Sequence, residues 1–399
     1  MSSLPEPAHV IADDTEALKV AAALAEEFRT GAAERDARRR LPRAELDRLS
    51  ASGLLAVTVP AGYGGADVSA VTLAEVFRLL ASADASLAQI PQSHFVYINV
   101  LRRQGTPEQQ AFFFGEVLAG RRFGNAQSEA GTKHIQDIRT RLEPRPDGSY
   151  KLTGVKHYST GALFADWIPV LARGADEELY VAYVPREAPG VSVVDDWDGM
   201  GQRTTASGTV RLEGVDVPTD RVVPHHLTFH GPQLHGAVAQ LLHSAIDAGI
   251  ASGALAEAVA FVRTKSRPWF ESGFETAAED PLLIQRFGEL AIQVRAAEAL
   301  LSAAARAVDA ARADLTDDTA AEASIAVAAA KVAAADAAVE TGSSLFEVSG
   351  TRSALDALGL HRHWRDARTH TLHDPARWKV QHIGRYVLNG TRPPRHGLL

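Results

Sequence analysis

Lys156-His157-Tyr158-Ser159-Thr160-Gly161 sits in the part of the chain where the texture of the sequence changes. From about Phe123 to Val223 the chain consists of short β-prone runs, among them Tyr150-Lys151-Leu152, Trp167 to Ala172 and Leu179 to Val184. Asp147-Gly148 and Gly190 punctuate them, as turn residues do between strands. Thr209-Val210-Arg211-Leu212-Glu213 alternates and stops at Gly214. Alternation at period two marks a half-buried strand. The segment therefore reads as a compact antiparallel β domain.

On both sides the period lengthens. Before it, from Asp14 to about Gly120, apolar residues recur at three and four over Leu41 to Leu55 and Val71 to Ala83. Gly62, Gly64 and Gly65 mark a loop between these two stretches. After it, from about Leu234, alanine dominates and helical spacing continues to Phe346, as in long packed helices. Helices, then strands, then a helical bundle make an α+β arrangement. The expected units are an N-terminal helical domain (1–122), a middle β domain (123–226) and a C-terminal helical bundle (227–399).

The bulk numbers exclude several classes. The chain has 399 residues, 46% hydrophobic and 23% charged, with a net charge of −8. No dominant basic face for nucleic acid is expected; Arg38-Arg39-Arg40 reads as the end of a solvated helix. There is no cysteine, so thiolate catalysis and cysteine zinc sites are out. Met1 to Pro7 lacks a basic segment followed by an apolar run, so no secretory leader is read there. Charges such as Arg295, Glu298 and Arg306 interrupt Ala291 to Ala338, which is therefore not read as a membrane span. A cytoplasmic protein is expected. Gly199-Met200-Gly201 comes nearest to a dinucleotide fingerprint, but Thr204 stands where the third glycine belongs.

Several segments together resemble the acyl-CoA dehydrogenase superfamily. Gly124-Asn125-Ala126-Gln127-Ser128-Glu129 is similar to its flavin loop, and Lys156 to Gly161 to its flavin strand. Gly199-Met200-Gly201-Gln202-Arg203 through Val215-Asp216-Val217-Pro218 resembles its exit from the β domain, and Arg365-Asp366-Ala367 a late motif. Within the superfamily, Gln92-Ser93-His94 and Arg368-Thr369-His370-Thr371-Leu372-His373-Asp374-Pro375 resemble the sulfur-acquisition oxidoreductases, relatives of dibenzothiophene and alkanesulfinate monooxygenases. That resemblance implies reduced FMN supplied by a separate reductase, with O2 activated as a flavin C4a-hydroperoxide. It implies a small organosulfur substrate and a homotetramer. The rivals are an FAD-dependent acyl-CoA dehydrogenase and a degenerate flavin-binding or scaffold protein.

Site residues follow from the same resemblance, each beside a plainer reading. Thr160 aligns with the threonine that meets flavin N5, with Ser159 beside it; otherwise these are two hydroxyls on a strand. Asn125 and Ser128 fall against the ring edge, or serve ordinary turn chemistry. Arg267 and Arg352 fall near phosphate positions, Arg352 reaching a neighbouring subunit; the alternative for each is a surface ion pair. His94 and Tyr97, three residues apart on one helical face, are placed over the flavin. There His94 would hydrogen-bond or protonate the oxygenated flavin; otherwise it is a core histidine satisfied by a carbonyl.

His370 and His373 form the late pair, His370 lining the flavin and His373 acting on the oxygenated flavin. Metal binding is the plain alternative, but no third ligand is evident. Asp374 aligns with the glutamate that removes an α-proton in the dehydrogenases. It also precedes Pro375 and a helical pattern to Leu388, which makes it an expected N-cap and a poor base. His373 is then the polar group expected to face the flavin.

Overall fold

The computed structural model describes residues 8–399; Met1 to Pro7, where no leader is read, lie outside the described residues. The N-terminal part contains α1 (Asp14–Arg29), α2 (Ala32–Ala37), α3 (Arg43–Ala51), α4 (Ala70–Ala83), α5 (Ala85–Gln89), α6 (Gln92–Gln104) and α7 (Pro107–Leu118). Local chemistry explains their starts. The Asp13 and Ser69 side chains cap α1 and α4, and Thr106 with Gln109 forms a capping box ahead of Pro107. α1 buries Ala17, Ala21, Leu24, Ala25 and Phe28, a single stripe at helical spacing.

Seven strands follow: β1 (Arg141–Pro144), β2 (Tyr150–Lys156), β3 (Trp167–Gly174), β4 (Leu179–Pro185), β5 (Val191–Val194), β6 (Thr209–Val217) and β7 (Val222–Val223). Their order in the sheet is β5-β6-β2-β1-β3-β4-β7. The expectation of a wholly antiparallel sheet needs correction, because β1 and β3 pair in parallel. The reason is topological. β2 folds back on β1 and carries β6 on its far side, so β3 enters at the open edge of β1, after a crossing that contains Ser159 and Thr160.

The C-terminal part comprises α8 (His235–Thr264), α9 (Pro281–Ala313), α10 (Asp317–Ser349), α11 (His361–His370) and α12 (Ala376–Asn389). α8 is long and apolar enough to cross a membrane, with a mean hydropathy of 1.6 over its most apolar window. Here it is the core helix of the bundle, packed between α4 and α10. Glycine permits the close approach: a Cβ at Gly249 would stand 2.4 Å from the Arg78 carbonyl oxygen, and one at Gly253 2.5 Å from that of Ser82. The alanines of α10 bring α8, α9 and α10 together in the same way.

Two features dock the sheet on the helices. Gln202 N–H donates to the buried Asp366 carboxyl of α11 at 2.5 Å. Gly161, with φ of 76°, turns so tightly against the end of α5 that a Cβ there would meet the Ile90 carbonyl oxygen at 3.1 Å. The turn after β2 therefore stands beside α5, and the end of α11 reaches the same place through Gln89.

Candidate functional site

A buried ion pair fixes the sheet side of this place. Lys156 Nζ, at the end of β2, donates to Glu129 Oε1 at 2.8 Å and to the Gln127 carbonyl at 3.0 Å. Glu129 also accepts from Thr140 Oγ1 at 2.7 Å and from the N–H groups of Arg139 and Thr140 at 2.9 Å each. Burial pushes the Lys156 pKa down to about 8, against the pull of Glu129. The pair ties the 124–129 loop to the strand that leads into Ser159. Ser128 belongs to this loop; it is half-buried, and its carbonyl accepts from His157 N–H at 2.9 Å.

Ser159 and Thr160 are both buried. Ser159 Oγ has no hydrogen-bond partner, an uncommon condition for a buried hydroxyl. Thr160 Oγ1 begins a chain: 2.7 Å to Ser207 Oγ, then 2.7 Å to Thr205 Oγ1, whose proton goes to the Gln202 carbonyl at 3.0 Å. Each hydroxyl has one proton. The carbonyl can only accept, so Ser207 donates to Thr205 and Thr160 donates to Ser207. Thr160 is left presenting lone pairs alone. Nearby, Tyr97 donates its hydroxyl to Asn125 Oδ1 at 3.3 Å, and the Asn125 amide donates to the Tyr158 carbonyl at 3.4 Å. Tyr97, Asn125 and the 158–160 turn thus form one rim.

The helix side differs from the sequence reading at three points. His94 is buried, with Nε2 2.9 Å from the Leu55 carbonyl and Nδ1 accepting from Phe123 N–H at 3.0 Å. Burial pushes its pKa down to about 4. Both ring nitrogens are occupied, so the catalytic assignment of His94 is corrected: it is a structural histidine joining two segments. His370 is also buried, with Nδ1 2.5 Å from Asp247 Oδ1 and Nε2 3.0 Å from His243 Nδ1. It faces the core, not a ligand, so its reading as a flavin contact is corrected too.

Asp374 is the third. It makes no side-chain cap to α12, and Pro375 occupies the cap position. Its carboxylate lies 2.5 Å from Lys379 Nζ, with both groups buried. His373 beside it is open to solvent, and its ring packs on that of His243 at 4.1 Å between centroids.

Arg267 and Arg352 do not join these groups within one chain. Both are exposed, and Arg352 donates to the Lys265 carbonyl at 3.1 Å, beyond the C-terminal end of α8. His243 lies near the other end of that helix, about 33 Å away at the α-helical rise. Sequence reasoning missed His243, Asp247 and Lys331. A signal existed: His243 and Asp247 are four apart, on one face of a largely apolar stretch of helix.

Comparison with known proteins agrees with this architecture. Residues 14–121, 123–215 and 241–378 match the family descriptions of the acyl-CoA dehydrogenase N-terminal, middle and C-terminal domains. The chain is 34% identical to a dibenzothiophene monooxygenase of Rhodococcus erythropolis, over 98% of this chain and 99% of that one. It is 34% identical to a probable FMNH2-dependent monooxygenase, SfnC, of Pseudomonas putida, over 94% and 96% respectively. The crystal structure of FMN-bound TdsC from Paenibacillus sp. A11-2 superposes with a TM-score of 0.91 at 35% identity, covering 96% of this chain and all of that one. With all three domains matched in order and relatives similar over nearly their whole length, the chain belongs to the acyl-CoA dehydrogenase family.

Proposed function

We propose that this chain is a flavin-dependent monooxygenase that uses reduced FMN and O2 to oxygenate a small organosulfur compound. The observation that carries this reading is the Asp374–Lys379 pair. A dehydrogenase needs a free carboxylate to remove an α-proton. The aligned carboxylate is instead held against a buried ammonium, while the open group beside it is a histidine. The relatives' names point the same way.

The sheet side fits a flavin ring. Ser159 Oγ is a buried hydroxyl with its hydrogen-bonding capacity unused, and the Asn125 amide stands at the rim. Thr160, limited to accepting, suits the N5–H that a flavin bears when reduced. Reduced FMN supplies the electrons that activate O2. Ser159, Thr160 and Asn125 hold and orient the ring, with Ser128 on the same loop. His373, open to solvent beside Asp374, is the group that takes or gives a proton on the helix side. Arg267 and Arg352 are assigned to the flavin phosphate of a neighbouring subunit, which makes the working unit a homo-oligomer, expected to be a tetramer. FMN, with its single phosphate, is preferred over FAD for the same two arginines. A separate flavin reductase delivers the reduced cofactor in the cytoplasm.

The test is to incubate the protein with FMN, a flavin reductase, NADH, 18O2 and a set of sulfides, sulfones and sulfinates that includes dibenzothiophene. One 18O atom should enter a product. Bleaching of the oxidised enzyme by acyl-CoA, without oxygenation, would favour the dehydrogenase. Failure to bind any flavin would favour a scaffold.

A further inference from the structure

The chemistry just assigned leaves a buried polar cluster unused. Lys331 of α10, Asp247 and His243 of α8 and His370 of α11 converge, each no more than 2% exposed. Lys331 Nζ donates to Asp247 Oδ2 at 2.6 Å, and His370 Nδ1 lies 2.5 Å from Asp247 Oδ1. His370 Nε2 lies 3.0 Å from His243 Nδ1 and 3.1 Å from Gln89 Oε1. The His243 ring packs on His373. Apolar side chains of similar volume would fill this space without burying charge, so packing alone does not explain the cluster.

We propose that Asp247 and His370 are positioning residues that store a proton in the core and pass it through His243 to the open side of the site, where His373 stands. The inference rests on the oxygenation reading above. With His370 as the imidazolium, Nδ1–H donates to Asp247, and Nε2–H faces two acceptors, Gln89 Oε1 and His243 Nδ1. Transfer of that proton to His243 Nδ1, with release of the proton on the other nitrogen of His243, delivers one proton outward. His370 is left neutral, and the reverse sequence reloads it. No electron or heavy atom moves.

The surrounding charges suit this role. Burial would raise the Asp247 pKa, but His370 and Lys331 outweigh it and hold the carboxyl below its ordinary range. The groups that face His243 are His373, His370, Lys331 from α10 and Lys379 from α12. Its burial first, and then these groups, keep its pKa well down, so it holds an extra proton only in passing. Asp374, His370, Lys331 and Asp247 face His373 in turn.

Histidine side-chain NMR of the flavin-free wild-type chain tests the coupling directly. The relay requires each of the His243, His370 and His373 ring signals to register the protonation of the other two, so all three should show the same set of pH inflections; rings that each respond to a single inflection of their own overturn it. Two variants test the consequence. His243→Gln keeps a polar side chain but cannot relay, and Asp247→Asn with Lys331→Met removes both buried charges together. In each folded variant, the His373 midpoint and the pH profile of kcat should shift, and kcat should fall about 100-fold. FMN affinity and KM should hold. A merely structural cluster would lower the melting temperature and leave both pH profiles in place, which overturns the proposal. If the wild type oxygenates no organosulfur compound, the proposed function falls, while the NMR midpoints still decide the relay.

Discussion

At the scale of single residues, two side chains have predictable fates. Asp374 and Lys379 are 3% and 4% exposed at a separation of 2.5 Å. Removing one charge of such a pair strands the other, at a cost of about 3–5 kcal/mol, whereas losing an N-cap costs about 1 kcal/mol. Chemical denaturation of Asp374→Asn should therefore show the larger loss, and a change near 1 kcal/mol would restore the capping reading. Ser159 behaves oppositely. Its hydroxyl is buried with no partner, so Ser159→Ala removes an unmet polar group and leaves stability within about 1 kcal/mol of the wild type. Reduced-FMN affinity, measured by anaerobic titration, should drop about tenfold, the worth of one hydrogen bond of about 1.4 kcal/mol. Unchanged affinity would remove Ser159 from the flavin site.

At the scale of elements, α11 carries a pH dependence of its own. Asp366 lies four residues before His370, on the same face, and joins α11 to the 199–207 loop through Gln202. Burial, then the carboxylates of Asp36 and Asp84, push its pKa up to about 7, against Gln202 N–H and Arg365. The folded chain thus keeps a proton that the unfolded chain releases above about pH 4. The stability this adds is complete below pH 4 and is lost as pH rises to about 7. Asp366→Asn keeps a carbonyl for Gln202 N–H and cannot ionise. It should match the wild type near pH 4 and exceed it above pH 7, by up to about 1.4 kcal/mol for every pH step between the unfolded and folded pKa values. Thermal melts of the two proteins that run parallel from pH 4 to 8 would contradict this.

At the scale of the whole molecule, the exposed apolar surface collects on α9, α12 and the loop between α8 and α9. Ile292 of α9 is 69% exposed, Val387 and Leu388 of α12 are 78% and 83%, and Phe270 in the loop is 79%. Large apolar side chains exposed in such number commonly mark an interface. The loop that bears Phe270 also bears Arg267, so burying this surface against another copy would carry the arginine toward that copy. Replacing Val387 and Leu388 together by Glu should shift the sedimentation coefficient to that of a smaller species. FMN affinity should fall in step, because the phosphate contacts would be lost. A dissociated chain that binds FMN as well as the wild type would detach the arginines from the cofactor.

Much of this molecule was legible in its residues. The shift from period three-and-four to period two and back placed the helices and the sheet. The motifs around Asn125, Thr160 and Asp366 were enough to suggest the family. Such features are local: spacing decides which face of an element is apolar, and a turn residue decides where it stops. What only the tertiary structure decided was which partner each polar group met. His94 gave both ring nitrogens to Leu55 and Phe123, segments 39 and 29 residues away. Asp374 gave up its cap because a buried ammonium attracts a carboxylate more strongly than backbone N–H groups at a helix start do. His243, Asp247, Lys331 and His370 became one cluster because three helices pack on each other, and no window of sequence spans them. Local propensity sets the elements; burial, by removing water as the competing partner, sets the pairs.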